Sequence, residues 1–252
     1  MYEDGRSEGA ATHVVLEEVR PDGMNDQVDN VIELHRVSKT FSGAHAVRNV
    51  SLHIPRACVY VVRGDQGAGK TTLLRMMVGL ERPDVGSIWV DGFNAWEDRA
   101  VLRHRIGYMP QRFGLYPFFT TEEYLDFFIA CYGIAAHDRH RLSEELLELA
   151  ELIDRRTVMV DSLSVDQKQA LALARCLIHD PDVLVLDDPF AHIAQSDQEA
   201  LSDMVRELAN LGKTVVLSTR DPLIPLEPYS CVDVLVDGEV VRDRSSHAVI
   251  ER

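Results

Sequence analysis

Cysteine is scarce in this sequence, and the few cysteines stand far apart. The 252 residues contain four, and no two of them form a CxxC pair. Neither a disulfide framework nor a cysteine-ligated zinc site is therefore indicated. We expect four reduced thiols, as in a cytoplasmic protein, at Cys58, Cys131, Cys176 and Cys231.

Long uncharged apolar runs are also missing, so no segment is long enough to cross a bilayer. The N-terminus does not combine a basic region with an apolar stretch, as a secretion signal would. The composition, 46% apolar and 27% charged, is that of an ordinary globular protein. We expect a soluble chain that builds one large α/β domain or two small ones.

Basic residues are outnumbered, with 26 lysines and arginines against 41 acidic residues and a net charge of −15. Such a charge repels phosphate backbones and anionic lipid surfaces at long range, so we expect no nucleic-acid partner. The imbalance is strongest in residues 1–30, which hold eight acidic residues and two arginines. We expect a mobile acidic tail there, followed by a domain over residues 31–252.

The apolar pattern of this domain alternates between two periods. Short β-rich runs predict strands at 31–37, 50–54, 58–62, 87–90, 106–109, 183–186, 214–217 and 231–236. The strands at 87–90 and 106–109 are predicted to flank a turn at Asp91-Gly92. Helical spacing predicts helices at 71–78, 122–132, 142–153, 165–178 and 197–210. Apolar strands alternating with helices favour a buried, mostly parallel sheet, with a helical subdomain inserted at about 112–180.

A glycine-rich loop follows the strand at 58–62 and precedes the helix at 71–78. Its sequence fits the P-loop pattern in the required strand-loop-helix context. Backbone N–H groups of such a loop surround the β-phosphate, the lysine reaches the β and γ oxygens, and the threonine hydroxyl ligates Mg²⁺. A glycine-rich turn that merely caps a helix is the alternative. The candidate nucleotide-binding residues are Gly64, Asp65, Gln66, Gly67, Ala68, Gly69, Lys70, Thr71 and Thr72.

A second acidic element fits the same chemistry. Asp187 ends the apolar strand at 183–186, and it lies 117 residues after Lys70. This is the arrangement of a Walker B strand, whose aspartate holds Mg²⁺. An aspartate after an apolar run can also be a simple turn residue, but together with the P-loop it predicts a P-loop NTPase.

Two further segments complete a recognisable order. Tyr108-Met109-Pro110-Gln111 precedes the helical insert, and Leu163-Ser164-Val165-Asp166-Gln167 begins 24 residues before Asp187. Over about residues 31–242 this order resembles the ATP-binding subunits of ABC transporters. Within that family, residues 109–115 are more similar to ABC-2-type exporter ATPases than to importers.

The resemblance implies roles for individual residues. Gln111 matches the glutamine that contacts Mg²⁺ and the attacking water, so Mg²⁺ would be held by Thr71, Gln111 and Asp187. Ser164 and Gln167 match the LSGGQ signature, which approaches the ATP bound to the other subunit of a dimer. Phe41 matches the aromatic residue that stacks on adenine, although it could also be an ordinary core phenylalanine.

The resemblance also implies a fold and partners. The fold is an α/β P-loop NTPase with a mostly parallel core sheet, an antiparallel β subdomain and an inserted helical subdomain. The cofactors are ATP and Mg²⁺. The partners are a transmembrane permease and a second ATP-binding subunit, identical or different. The chain would be peripheral on the cytoplasmic face of the cell membrane and would contact the membrane only through the permease.

Departures from the family lie in its catalytic motifs. The glutamate that polarises the attacking water is replaced by Asp188, whose carboxylate is one methylene shorter. The switch histidine is replaced by Arg220, which accepts no hydrogen bond but carries a permanent charge suited to a γ-phosphate. We therefore expect Asp188, Gln111 and Arg220 to form a slow or partner-dependent catalytic set.

The signature and the D-loop depart as well. Both signature glycines are replaced, by Val165 and Asp166, and the D-loop aspartate is replaced by Ala194. A carboxylate near a triphosphate is repelled, and a side chain obstructs close approach of the backbone.

Two main hypotheses for function follow, and a soluble ABC-type protein that serves no transporter is the remaining alternative. The first is an ABC-type ATPase subunit that binds Mg-ATP and powers or gates a membrane exporter through ATP-dependent dimer closure, with slow hydrolysis. The second is a non-hydrolysing regulatory subunit of a heteromeric ABC complex. Four aromatic residues within 112–119 either dock a permease or pack the base of the helical insert.

Overall fold

The computed structural model describes residues 29–191, 193, 198–221 and 230–242. The predicted acidic tail over residues 1–28 and the D-loop residue Ala194 lie outside the described residues. Residues 29 and 30, assigned to the tail from the sequence, belong to the described chain, and Asn30 begins the first strand.

Strands and helices succeed one another as the sequence pattern indicates. The strands are β1 (Asn30–Phe41), β2 (Ala44–Pro55), β3 (Val59–Arg63), β4 (Val85–Val90), β5 (Phe93–Asn94), β6 (Ile106–Met109), β7 (Val183–Leu186), β8 (Thr214–Thr219), β9 (Ser230–Val236) and β10 (Glu239–Arg242). The helices are α1 (Lys70–Met77), α2 (Arg99–Leu102), α3 (Thr121–Cys131), α4 (Ala136–Leu149), α5 (Val165–Leu177) and α6 (Gln198–Asn210). Two short 3₁₀ turns lie at Ile153–Arg155 and Val160–Ser162.

The core sheet has six strands in the order β10-β9-β3-β8-β7-β6. Every neighbouring pair in it is parallel except β9 with β10. All four residues of β7 are buried, because helices cover both faces of a parallel sheet. The carboxyl ends of β3, β6, β7 and β8 therefore meet at one edge, where open α/β sheets bind ligands.

An antiparallel sheet in the order β2-β1-β4-β5 lies beside the core sheet. The buried face of α1 packs with residues of both sheets in one hydrophobic cluster, which includes Leu34, Val62 and Leu73. The opposite face of the core sheet packs against α5 and α6 through residues such as Ala172 and Val205. The predicted mostly parallel core with an antiparallel partner is confirmed.

Three helices, α3, α4 and α5, share a separate hydrophobic cluster that includes Tyr124, Leu147 and Leu171. A capping box begins α3: Thr120 Oγ1 accepts from the Glu123 amide, and the Glu123 carboxylate accepts from the Thr120 amide. This reciprocal pair satisfies two amide groups that the helix leaves without acceptors. None of the described helices combines the length and the apolar character that a membrane span requires.

The sequence prediction was wrong for one turn and one helix, and it missed two short elements. The strands at 87–90 and 106–109 do not flank one turn: Asp91-Gly92 joins β4 to β5, whereas β6 belongs to the other sheet. The helix predicted at 142–153 begins at Ala136 and ends at Leu149. It ends before 153 because Glu151 adopts a positive φ of 56°, which is not helical. Two elements are too short for periodicity to reveal, namely α2 and β5.

Candidate nucleotide-binding site

The loop between β3 and α1 wraps around the start of the helix. Gly69 adopts a φ of 100°, and a Cβ at this position would lie 1.9 Å from the carbonyl oxygen of Ala46 on β2. Only glycine fits both constraints. Since Gly69 has no side chain to cap α1, the first amide groups of the helix remain available to an anion.

Lys70 is the first residue of α1, and its side chain folds back over the loop. Its Nζ donates to the carbonyl oxygens of Gly64 at 2.7 Å and Asp65 at 2.8 Å. Burial lowers the pKa of Lys70, and the charge of Arg220 lowers it further, while nearby carboxylates oppose the shift. The ammonium group is thus held by neutral carbonyls, which phosphate oxygens can replace as stronger acceptors.

Asp187 follows β7 and is almost fully buried, with 2% of its surface exposed. Its Oδ1 accepts from Ser218 Oγ at 2.7 Å, and its amide donates to the Met109 carbonyl at 2.9 Å. Its Oδ2 is buried and has no hydrogen-bond partner among the described residues. A buried, unpartnered carboxylate oxygen beside the P-loop fits a hard divalent cation such as Mg²⁺.

Asp188 is held close to two other residues that the sequence singled out. Its Oδ2 lies 3.3 Å from Arg220 Nε and accepts from Gln111 Nε2 at 3.2 Å. Its amide donates to Ser218 Oγ at 2.9 Å, and its φ is 54°. The two residues that depart from the family's catalytic pattern therefore form an ion pair with each other.

These side chains surround one cavity of about 230 Å³. Its lining contains most of the residues predicted for ATP and Mg²⁺, together with Ala46. The lining residues are Ala46, Gln66, Gly67, Gly69, Lys70, Thr71, Thr72, Gln111, Asp187, Asp188 and Arg220. Gly64, Asp65 and Ala68 complete the loop behind it, where Ala68 is buried.

Sequence reasoning missed two residues of this site. Ala46 backs the P-loop, but an alanine within a strand gives no functional signal. Ser218 bridges Asp187 and Asp188 and is fully buried. The sequence signal that could have identified Ser218 as a site residue is its position two residues before Arg220, near the end of a strand beside β7.

Besides the three loop residues behind the cavity, the predicted binding residues Phe41, Ser164 and Gln167 do not line it. Phe41 lies at the end of β1 and is 45% exposed, so the alternative of an ordinary core phenylalanine is wrong. Lys39 Nζ lies 5.2 Å from the centre of its ring. Ser164 and Gln167 form a capping box at the start of α5, in which each side chain accepts from the other residue's amide.

The ABC transporter family matches residues 47–191, more than half of the chain. This chain belongs to that family. The match runs from β2 through the P-loop, Gln111 and the helical segment to Asp187 and Asp188. The chain is therefore the nucleotide-binding domain of an ABC transporter, and domains of this family bind ATP, typically with Mg²⁺.

Curated relatives of this ABC domain carry several names. It is 34% identical over 220 residues to Nod factor export ATP-binding protein I of Burkholderia lata, covering 87% of this chain and 72% of that protein. The protein of the same name from Burkholderia thailandensis is 36% identical, but the chain spans only 62% of its length. Methionine import ATP-binding protein MetN of Thermobifida fusca is 35% identical over 219 residues, covering 84% of this chain and 68% of that protein.

Solved structures of ABC cassettes have the same fold. A dimeric bacterial ABC transporter cassette superposes with a TM-score of 0.79 at 27% identity, covering 86% of this chain and all of that one. A dimeric post-hydrolysis cassette bound to ADP and phosphate gives a TM-score of 0.78, also at 27% identity and with the same coverage.

Proposed function

We propose that this ABC domain binds Mg-ATP and drives or gates a membrane exporter, with slow or partner-dependent hydrolysis of its own. One observation carries the proposal: the unpartnered Oδ2 of buried Asp187 and the P-loop residues Lys70 and Thr71 belong to the same cavity. An acidic acceptor without a donor, beside a loop built for phosphates, is the expected arrangement for a metal-bound nucleotide.

Different residues of the cavity bind the phosphates and the metal ion. The amides of the P-loop and Lys70 bind the phosphates, while Thr71, Gln111 and Asp187 would hold Mg²⁺. When bound, Mg²⁺ supplies positive charge that stabilises the phosphate oxygens. Phe41, exposed at the end of β1, is the proposed adenine-stacking residue.

Slow hydrolysis follows from the position of Asp188. A general base must reach hydrogen-bond distance of the attacking water. The Asp188 carboxylate is short, and its Oδ2 already faces Gln111 and Arg220. In the nucleotide-free site both contacts withdraw the carboxylate from water, and with ATP bound the shorter side chain still supports a low rate for the isolated chain.

The proposed assembly is a face-to-face dimer of ATP-binding subunits, identical or different, joined to a transmembrane permease at the cytoplasmic face of the membrane. The dimer is supported by two similar solved structures, the bacterial ABC transporter cassette and its post-hydrolysis form, which are both dimers. Export is favoured because Nod factor export proteins stand among the relatives, and the methionine import relative is the competing case.

A non-hydrolysing regulatory subunit is the second candidate. The ion pair between Asp188 and Arg220 favours it, because a base neutralised by arginine does not activate water. In such a subunit, ATP acts only as the ligand that closes the dimer.

Steady-state ATP turnover by the purified chain distinguishes these functions. We expect slow turnover at saturating Mg-ATP that Lys70→Ala abolishes, together with loss of ATP binding. The matched control is Lys213→Ala, which removes a lysine paired with Asp180 outside the cavity and leaves both properties unchanged. Unchanged ATP affinity in Lys70→Ala would contradict the P-loop assignment.

The variant carrying both Asp188→Glu and Arg220→His completes the experiment. Faster turnover than the native chain would support catalysis limited by these two residues. If the native chain binds ATP but turns it over no faster than Lys70→Ala, the regulatory function would be favoured.

A further inference from the structure

The ion pair between Asp188 and Arg220 lies inside the nucleotide cavity, where it affects more than catalytic rate. The lining of this cavity carries two cations, Lys70 and Arg220, and two carboxylates, Asp187 and Asp188. Its charges are therefore balanced before any ligand enters. A nucleotide that brings several negative charges competes with the carboxylates for the two cations.

The two partners of the pair differ in their freedom to move. The Asp188 side chain is 6% exposed, and its amide is anchored to Ser218 Oγ, which in turn donates to Asp187. The Arg220 side chain is 47% exposed and follows the end of β8. If the pair opens, the arginine moves and the carboxylate stays.

The chemistry of the ligand decides whether the pair opens. The P-loop lysine interacts with the β- and γ-phosphates, which places the terminal phosphate in the cavity that Arg220 also lines. A guanidinium group binds a phosphate in bidentate fashion and is more strongly attracted to it than to a single carboxylate oxygen. A nucleoside diphosphate has no terminal phosphate to offer at this position.

We propose that the Asp188–Arg220 pair is a latch opened by triphosphate: Arg220 holds Asp188 in the nucleotide-free site and transfers to the terminal phosphate when a nucleoside triphosphate binds. The transfer frees Asp188 Oδ2 from its cationic partner. This inference rests on the proposed nucleotide function, and it adds the means by which this chain distinguishes a triphosphate from a diphosphate.

Nuclear magnetic resonance of the Arg220 side chain tests the transfer directly. The Nε–H signal is assigned by its loss in Arg220→Lys and is followed in the full chain. Mg²⁺ with the non-hydrolysable imido analogue of ATP should shift this signal, whereas Mg-ADP should leave it near its nucleotide-free position. Equal shifts with both nucleotides, or no shift with the triphosphate at saturation, would overturn the latch.

A double-mutant cycle provides a second measurement that does not depend on observing that signal. The affinity for the Mg²⁺ complex of the same analogue is measured by calorimetry for the native chain, Asp188→Asn, Arg220→Gln and the double variant. Asp188→Asn frees Arg220 from competition, so it should tighten binding about 5-fold more with the native arginine than in the Arg220→Gln background. Equal effects in the two backgrounds would mean that the pair stays closed.

Controls separate failure of the latch from failure of the proposed function. The corresponding single and double variants of Asp180 and Lys213, an ion pair outside the cavity, should leave the affinity for the ATP analogue unchanged. If Lys70→Ala leaves triphosphate affinity intact, the nucleotide function itself is wrong. If Lys70→Ala abolishes binding while the cycle is additive, only the latch is wrong.

Discussion

At the scale of single residues, Ser218 determines how the acidic pair is arranged. Its hydroxyl donates to Asp187 Oδ1 and accepts from the amide of Asp188, and the residue is fully buried. One side chain thus fixes both the proposed metal ligand and the backbone of the proposed base. Ser218 can contact both aspartates because it lies near the end of β8, and β8 is the parallel neighbour of β7, which the aspartates follow.

Replacing Ser218 by alanine should lower the free energy of unfolding. Ser218→Ala removes the only described hydrogen bond to the Asp187 carboxylate and leaves the Asp188 amide without its acceptor. We expect a loss of about 1–3 kcal/mol in the free energy of unfolding, since buried polar groups are left unpaired. Urea unfolding monitored by circular dichroism measures it.

Ser202→Ala is the matched control, because Ser202 is also fully buried but, among the described residues, its hydroxyl donates only to the Gln198 carbonyl within α6. Alanine favours the helix, so this variant should be nearly neutral. A loss as large in Ser202→Ala as in Ser218→Ala would contradict the bridging role.

At the scale of elements, the start of α5 shows how the departures in the signature are accommodated. Ser164 and Gln167 satisfy each other's amides, so both side chains are engaged within their own helix. Val165 is half exposed at the first turn, and Asp166 is exposed beside it. An acidic residue in the first turn suits the helix dipole, although it does not suit a nearby triphosphate.

This capping predicts a structural effect of Ser164→Ala. The free energy of unfolding should fall by about 0.5–2 kcal/mol, since an N-cap side chain is lost, while the ATP affinity of the monomer stays unchanged. Denaturant unfolding and calorimetry measure the two quantities. Thr120→Ala, which removes the corresponding cap of α3, should lower stability by a similar amount. Unaltered stability in Ser164→Ala alone would show that its cap contributes nothing.

At the scale of the whole molecule, the aromatic residues after Gln111 have different surroundings, and Phe113 packs against the core-sheet cluster. The rings of Tyr116, Phe119 and Phe127 contact one another near the base of α3. Phe118 instead projects outward and is 85% exposed. Packing of the helical segment thus accounts for the ring cluster and leaves Phe118 available to a permease.

Charge at Phe118 tests this division. Phe118→Glu should leave the free energy of unfolding within about 0.5 kcal/mol of the native chain, because an exposed side chain loses little packing. It should lower association with the membrane subunit of the transporter, measured by co-purification. Phe119→Ala, which alters the ring cluster, should destabilise the fold instead. Loss of the fold in Phe118→Glu would favour a packing role.

Local patterns in the sequence determined much of the fold. Buried strands such as β6 and β7 are continuous apolar runs, so their bounds were predicted correctly. Likewise, the P-loop is recognisable from the sequence alone, because its glycines, its lysine and the start of its helix lie within a few consecutive residues. Where sheet membership depends on distant partners, as for β4 and β6, the local pattern was misleading.

The sequence by itself determined which groups are present: a phosphate-binding loop, an acidic strand end, and Asp188 and Arg220 in place of glutamate and histidine. Only the tertiary structure decided which of them meet. Gln111, Asp188 and Arg220 follow three different strands, and they come within hydrogen-bonding distance because those strands are parallel neighbours that end at one edge. Which side chains meet across this sheet depends on the order of strands that lie far apart in the sequence, and the pattern within each strand does not give that order.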